Sequence, residues 1–287
     1  MKAQSCFFSQ PPYLNTMSAP PHIRPPAVAG MFYPADALTL ESEIRGYLAA
    51  CEPNAGAVPK ALIVPHAGYM YSGAVAAAAY ALLAPLRRSI RRVVLLGPAH
   101  RVPLRGLALP VADAFATPLG ILPVDADARA TAMAMPQVSA SDVAHNLEHS
   151  LEVQLPFLQT VLEAFSIAPF AVGAASAAEV AELIDSLWGG PETLLVVSSD
   201  LSHFHAYRPA QAIDRSTADR ILALDPAIGH EQACGATPIN GLLLSASRRG
   251  MSIELLDLRN SGDTAGDRAR VVGYAAFVLH ELPHARH

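Results

Sequence analysis

Short aliphatic runs alternate along the chain with longer segments whose apolar residues recur at helical spacing. Three of the runs, residues 62–64, 92–96 and 193–197, end abruptly at a Pro, a Gly or a Ser pair. The segments between them, such as residues 38–50, carry apolar side chains every three or four positions, which is typical of amphipathic helices. This alternation predicts an α/β fold with a mostly parallel central sheet and helices on both faces.

Local signals set several predicted boundaries. Asp36 and Asp125 precede two predicted helices and are N-cap candidates. The turn residues at 117–120 predict a hairpin within 106–124, and residues 137–144 have the composition of a loop. Four leucines at helical spacing predict one helix over 147–164, bent at an internal proline.

Each of the three aliphatic runs is followed within a few residues by a histidine, namely His66, His100 and His203. In an open α/β sheet, ligands bind in the loops that leave the carboxyl ends of parallel strands. Neutral imidazole binds borderline metals, and its pKa near neutrality also suits proton transfer. We therefore expect the three strands to be neighbours and their histidines to meet, although a single such histidine would more often be an ordinary loop residue.

Several motifs follow one another along the chain. They are RPPAVAGMFYP (24–34), PHAGY (65–69), GPAH (97–100), EHSLEVQLP (148–156), SSDLSH (198–203) and CG (234–235). In this order they resemble the motifs of the Memo family, which in prokaryotes is labelled the B component of the AmmeMemoRadiSam system. The resemblance runs from about Arg24 to the C-terminal strand.

The resemblance implies a metal held by His66, His100 and Cys234, with His203 and Asp200 beside it as catalytic residues. Two imidazoles and a thiolate suit iron, copper or zinc far better than magnesium or calcium, and iron is the metal we expect. The Memo fold is similar to that of class III extradiol dioxygenases, where a histidine equivalent to His203 is the acid/base. Cys234 replaces a carboxylate ligand of those enzymes, which disfavours ring cleavage because a thiolate is itself oxidisable.

The expected substrate is a small molecule or a peptide, contacted by Tyr69, Tyr71, Glu148 and His149. By resemblance, an AMMECR-type protein and a radical S-adenosylmethionine enzyme are expected partners in a shared pathway.

Two other functions stay open. Aromatic residues around the ligands, including Phe204, could form a non-enzymatic binding pocket, and HNLEH at 145–149 satisfies an inverted zinc-peptidase signature.

Composition narrows the function classes. A net charge of -5 across 287 residues, with both signs mixed, provides no basic footprint for nucleic acid. The longest apolar stretch, residues 74–84, is too short to span a membrane and is expected to be a buried helix. Three scattered cysteines fit a reducing cytoplasm better than a disulfide framework. We expect a disordered tail over 1–22, in which Met17 is an alternative start, and a single α/β domain over 23–287.

Overall fold

A computed structural model describes residues 20–52 and 57–282. Most of the expected disordered tail, including Met17, lies outside the described residues. At its end, His22 is already tied to the fold, because its backbone N–H donates to the Asp113 carboxylate at 3.0 Å. The Asp113 backbone N–H in turn donates to the His22 carbonyl at 2.7 Å.

The described residues form twelve β-strands, eight α-helices and three short 3₁₀ helices. The strands are β1 (Ile23–Arg24), β2 (Ala61–Val64), β3 (Arg92–Pro98), β4 (Leu107–Leu109), β5 (Ala114–Thr117), β6 (Gly120–Pro123), β7 (Val138–Ala140), β8 (Ser166–Val172), β9 (Thr193–Ser198), β10 (His203–His205), β11 (Ser252–Asn260) and β12 (Val271–His280). The α-helices are α1 (Ala37–Ala49), α2 (Tyr69–Tyr80), α3 (Ala126–Met133), α4 (Asp142–His145), α5 (Leu155–Val161), α6 (Ala177–Ser186), α7 (Tyr207–Leu222) and α8 (Ala236–Arg248). The 3₁₀ helices are Ala81–Leu86, Glu152–Gln154 and Ser261–Asp263.

The main sheet has nine strands in the order β10-β12-β2-β9-β3-β8-β4-β7, with β11 paired to β12. Its centre, β2-β9-β3-β8, is parallel, as predicted. The strands on either side are antiparallel to this centre, because β12 pairs antiparallel with β2, and β4 pairs antiparallel with β8. The sheet is therefore mixed, with a parallel core. A smaller sheet has the order β1-β5-β6.

The central strands read as continuous aliphatic runs because both of their faces are covered. Successive residues of β2 alternate between two hydrophobic clusters: Leu62 and Val64 belong to one, and Ala61 and Ile63 belong to the other. The first cluster includes residues of α1, α2 and α5, and the second includes residues of α6 and α8. Helices therefore cover both faces of the sheet, which confirms the predicted α/β architecture.

Local predictions have mixed outcomes. Asp36 and Asp125 cap α1 and α3 by accepting the N–H groups of Thr39 and Ala128, at 2.9 and 2.8 Å. The hairpin consists of β5 and β6. The loop predicted over 137–144 is wrong, since this segment contains β7 and most of α4. The single helix over 147–164 is also wrong: the helical part is the 3₁₀ turn and α5, with Pro156 in the first turn of α5.

One segment, Tyr69–Leu86, is long and apolar enough to pass a length-and-composition test for a membrane span. Half of it is buried inside the fold, and it changes from α-helix to 3₁₀ helix at Ala81. Val75, Ala79 and Tyr80 of α2 belong to the hydrophobic core. The segment has the character of a core helix, as predicted for residues 74–84.

Candidate metal centre

Three imidazoles converge at the edge of the sheet where β2 and β3 end. His66 follows β2 after a single proline, and His100 follows β3 directly after Ala99. His149 comes from the irregular segment between α4 and the next 3₁₀ helix. One ring nitrogen from each histidine lies within 4.8 Å of the other two, so the three residues could together hold a metal ion.

His66 is the most enclosed of the three rings, with 2% of its surface exposed. Its Nδ1 lies 2.8 Å from the Ser198 hydroxyl, and its Nε2 lies 3.3 Å from the Cys234 sulfur. Burial holds the pKa of His66 well below its ordinary value, and the neighbouring rings of His149 and His100 lower it further. The ring is therefore neutral, which is the form that binds metals.

His100 is oriented by a buried carboxylate. Its Nδ1 lies 2.9 Å from Glu148 Oε1, and its backbone N–H donates to Oε2 at 2.5 Å. Burial opposes the charged form of Glu148, but the hydrogen bonds from His100 and from the Ser150 N–H hold its pKa at about 2. The ionised carboxylate accepts a hydrogen bond from the Nδ1–H of His100, which leaves Nε2 with a free electron pair for a metal.

His149 packs between the other rings and Phe32. Its ring stacks on His100 with centroids 4.7 Å apart, and the Phe32 ring lies at 4.8 Å. Burial lowers the pKa of His149. Its Nδ1 is buried and has no hydrogen-bond partner among the described residues. An unpartnered nitrogen in a cluster of imidazoles fits a borderline metal such as iron, copper or zinc. We expected His149 to contact substrate, but the structure includes it in the group that could bind metal.

Cys234 and Asp200 lie near the Nε2 of His66, at 3.3 and 4.0 Å. Burial, with the nearby Asp200 charge, raises the pKa of the Cys234 thiol to about 12, so the thiol is neutral in the absence of a cation. A bound metal would favour its deprotonation. Asp200 Oδ1 accepts the backbone N–H groups of His66 and Ala67, at 2.8 and 3.3 Å. Burial raises the pKa of Asp200. Asp200 thus fixes the loop that carries His66.

His203 lines a cleft of about 460 Å³ next to these residues. Its Nδ1 donates to the Leu201 carbonyl at 2.8 Å, so a backbone oxygen sets its tautomer. Tyr71, Asp200 and His149 line the same cleft. Tyr69 does not: it is 2% exposed, and its hydroxyl donates to the Val153 carbonyl within the core. Glu148 also lies outside the cleft lining, behind His100.

The HNLEH motif is not assembled as a zinc-peptidase site. The helix α4 ends at His145, so His145 and His149 do not share a helix face. The Nε2 of His145 lies 2.8 Å from the Ala108 carbonyl, and His145 is not a member of the metal-capable group.

A buried ion pair that we did not anticipate anchors the segment that carries Glu148 and His149. Arg24 NH1 donates to Glu152 at 2.5 Å, and both side chains are almost fully buried. The Arg24 guanidinium also donates to the carbonyls of His145 and Glu148, at 2.9 and 2.8 Å. The sequence signal was Arg24, the single charged residue of its motif, together with Glu152, which lies between Leu151 and Val153.

Comparisons with known proteins point to a single family. A family model described as Memo-like protein matches residues 24–278. A MEMO1 family protein of Methanosarcina mazei is 37% identical over 274 residues, covering 90% of this chain and 99% of the relative. MEMO1 family proteins of Aquifex aeolicus and Methanopyrus kandleri are 34% and 36% identical over 276 and 283 residues. These alignments cover 90% and 89% of this chain, and 99% and 98% of the relatives.

Proposed function

The chain belongs to the Memo family, and we propose that it is a redox-active metalloprotein that binds iron, or alternatively copper, at the His-rich centre. His66 and His100 supply two nitrogen ligands. Cys234 and His149, which both lie close to His66, are the candidates for the third donor. The substrate is a small molecule or a peptide that enters the adjacent cleft.

The observation that carries this proposal is the convergence of three imidazoles, of which His66 is buried, with ring nitrogens within 4.8 Å of one another. Burial lowers the pKa of His66 and of His149, so these rings present electron pairs without charge repulsion. A set of imidazole nitrogens with a nearby sulfur favours iron, copper and zinc over magnesium and calcium. Iron or copper would supply oxygen or electron-transfer chemistry at this position.

The chain's own residues would then handle protons and substrate position. The Nδ1 of His203 donates to the Leu201 carbonyl, which leaves Nε2 as the acceptor for a substrate proton. Tyr71 and Phe32 supply aromatic walls of the cleft, and Arg270 supplies a positive charge at its edge. Asp200 holds the His66 backbone in place by accepting its N–H.

Metal analysis of protein purified without oxygen tests this proposal. His66→Ala and His100→Ala should abolish metal binding, whereas His203→Ala should keep the metal and lose oxygen consumption. His205→Ala is the control, because His205 is an exposed histidine two residues from His203 and outside the group. Cys234→Ser and His149→Ala identify the third donor by which of them loses metal. A metal-free parent, or equal metal loss in His203→Ala, would contradict this division of roles.

A non-enzymatic binding module is the second candidate function. Phe204 is 62% exposed, has a φ of 63°, and packs its ring against His203 at 5.6 Å between centroids. His203 lines the cleft, and a strained backbone that exposes a large apolar side chain beside such a residue is a feature of binding sites. Such a module would keep its affinity for a ligand while metal-loaded protein consumes no oxygen, and Phe204→Ala would reduce that affinity.

We propose a reducing, cytoplasmic setting for this chemistry. Cys51 and Cys234 are both free thiols, which suits such a compartment. The AMMECR-type protein and the radical S-adenosylmethionine enzyme are proposed partners, and co-purification from the native organism would test them.

A further inference from the structure

We infer that Ser198 is a positioning residue that fixes the tautomer of His66, so that Nε2 is the nitrogen presented to the metal. Ser198 is the last residue of β9, and its side chain is fully buried beneath the His66 ring. The inference rests on the proposed function for the identity of the ligand, but the tautomer itself is a property of the metal-free protein.

The other hydrogen bonds of Ser198 require its Oγ to act as the acceptor towards His66. Its Oγ lies 2.6 Å from the Ser150 carbonyl, 2.8 Å from Gln154 Nε2 and 2.8 Å from His66 Nδ1. A carbonyl can only accept, so the single hydroxyl proton of Ser198 is donated to Ser150. The Oγ must then accept from the His66 ring, which places the imidazole proton on Nδ1.

The orientation of Gln154 is set by the same reasoning. Its Oε1 accepts the Tyr80 hydroxyl at 2.9 Å, and its Nε2 donates to the Pro65 carbonyl at 2.9 Å as well as to Ser198. Turning the amide over would leave Oε1 facing the Pro65 carbonyl oxygen, an acceptor with no proton to give. Tyr80, Gln154 and Ser198 all have no exposed surface, so solvent does not compete for these bonds. The network therefore has one consistent proton arrangement.

Ser198 differs in charge from Glu148, the hydrogen-bond partner of His100. Glu148, which orients His100, is an ionised carboxylate. The hydroxyl of Ser198 is neutral and orients His66 through a hydrogen bond alone. His66 Nε2 thus carries a free electron pair for a metal, and it already lies 3.3 Å from the Cys234 sulfur. Hydrogen bonds of this kind typically alter metal affinity about 10- to 100-fold.

Two measurements on Ser198→Ala test the assignment. The probe is Zn²⁺, titrated in competition with a chelator of known affinity, and nitrogen NMR reports the His66 tautomer in metal-free protein. We expect Ser198→Ala to weaken Zn²⁺ binding by roughly 10- to 100-fold and to populate the Nε2-protonated tautomer. Ser198→Thr keeps the hydroxyl and should restore both. Ser72→Ala is the matched control, because Ser72 is also buried but its hydroxyl donates to the Ala67 carbonyl, at 2.9 Å.

The outcomes separate this inference from the proposed function. A parent protein with the His66 proton on Nε2 would overturn the inference, and this measurement requires no variant to fold. Equal affinity loss in Ser198→Thr and Ser198→Ala would assign the effect to packing and would also overturn it. A parent that binds no Zn²⁺, iron or copper but has the Nδ1-protonated tautomer would end the metal proposal and leave the tautomer assignment to Ser198 intact.

Discussion

Replacing Arg24 by Met should cost about 3–5 kcal/mol of unfolding free energy, because it leaves Glu152 as a buried charge without its counterion. Both side chains are at most 2% exposed, and their closest atoms are 2.5 Å apart. Glu152 would keep three donors, the N–H groups of Ala27 and Val28 and the Tyr33 hydroxyl, at 2.8, 3.0 and 2.6 Å. These donors moderate the loss but do not neutralise the charge.

Urea unfolding of the metal-free protein measures this loss, and Arg45→Met is the matched control. Arg45 pairs with Glu41 at 2.6 Å on the exposed face of α1, so its removal should cost no more than about 0.5 kcal/mol. The double variant Arg24→Met/Glu152→Gln should lose less than the sum of the two single variants, since the two groups interact directly. A loss in Arg24→Met no larger than that in Arg45→Met would refute the reasoning.

Four further predictions concern packing, helix propensity, capping and metal. A Cβ at Gly241 would overlap Val180 where α8 meets α6, so Gly241→Ala should destabilise by roughly 1–3 kcal/mol in thermal unfolding. Gly46→Ala, at an exposed position of α1 with open space around it, should stabilise by up to about 1 kcal/mol. Burial opposes the charge of Asp125, but hydrogen bonds from Arg92 and Ser166 lower its pKa below 3.8. Asp125→Ala should therefore cost about 1 kcal/mol at neutral pH, and its difference from the parent should shrink as pH falls below that value. Finally, Zn²⁺ at about 100 times its Kd should stabilise the parent by about 2.7 kcal/mol and leave His66→Ala unaffected, as measured by unfolding with and without metal.

The parallel core of the fold was predictable because it depends on local composition. Strands covered on both faces need continuous aliphatic runs, and β2, β3 and β9 have them. A breaker followed by a histidine then placed His66 and His100 at the same edge of the sheet. The N-caps at Asp36 and Asp125 were equally local, since each carboxylate accepts an N–H three residues ahead.

The features that sequence reasoning missed depend on contacts between distant segments. Leucine spacing predicted a helix through residues 148–151, but tertiary hydrogen bonds hold these residues in an irregular conformation. The Arg24 guanidinium donates to the Glu148 carbonyl, and the His100 backbone N–H donates to the Glu148 carboxylate. The same contacts direct His149 into the metal-capable group, an orientation that has no signature in sequence. Tyr69 and Tyr71 were likewise indistinguishable, because only the register of α2 decides that the first is in the core and the second lines the cleft.

The two buried glutamates of this segment differ in a way that bears on the centre's charge. Glu152 is neutralised by Arg24. Glu148 is ionised, with a pKa of about 2, and within the described part of the chain its ion-pair contacts are the rings of His100 and His149. Burial lowers the pKa of His149, so that ring does not supply a stable positive charge. A buried carboxylate whose neighbours are imidazoles is stabilised when a cation binds those imidazoles. A metal ion at the three histidines would therefore add a second stabilising interaction for the Glu148 carboxylate, beside its hydrogen bonds from His100 and Ser150.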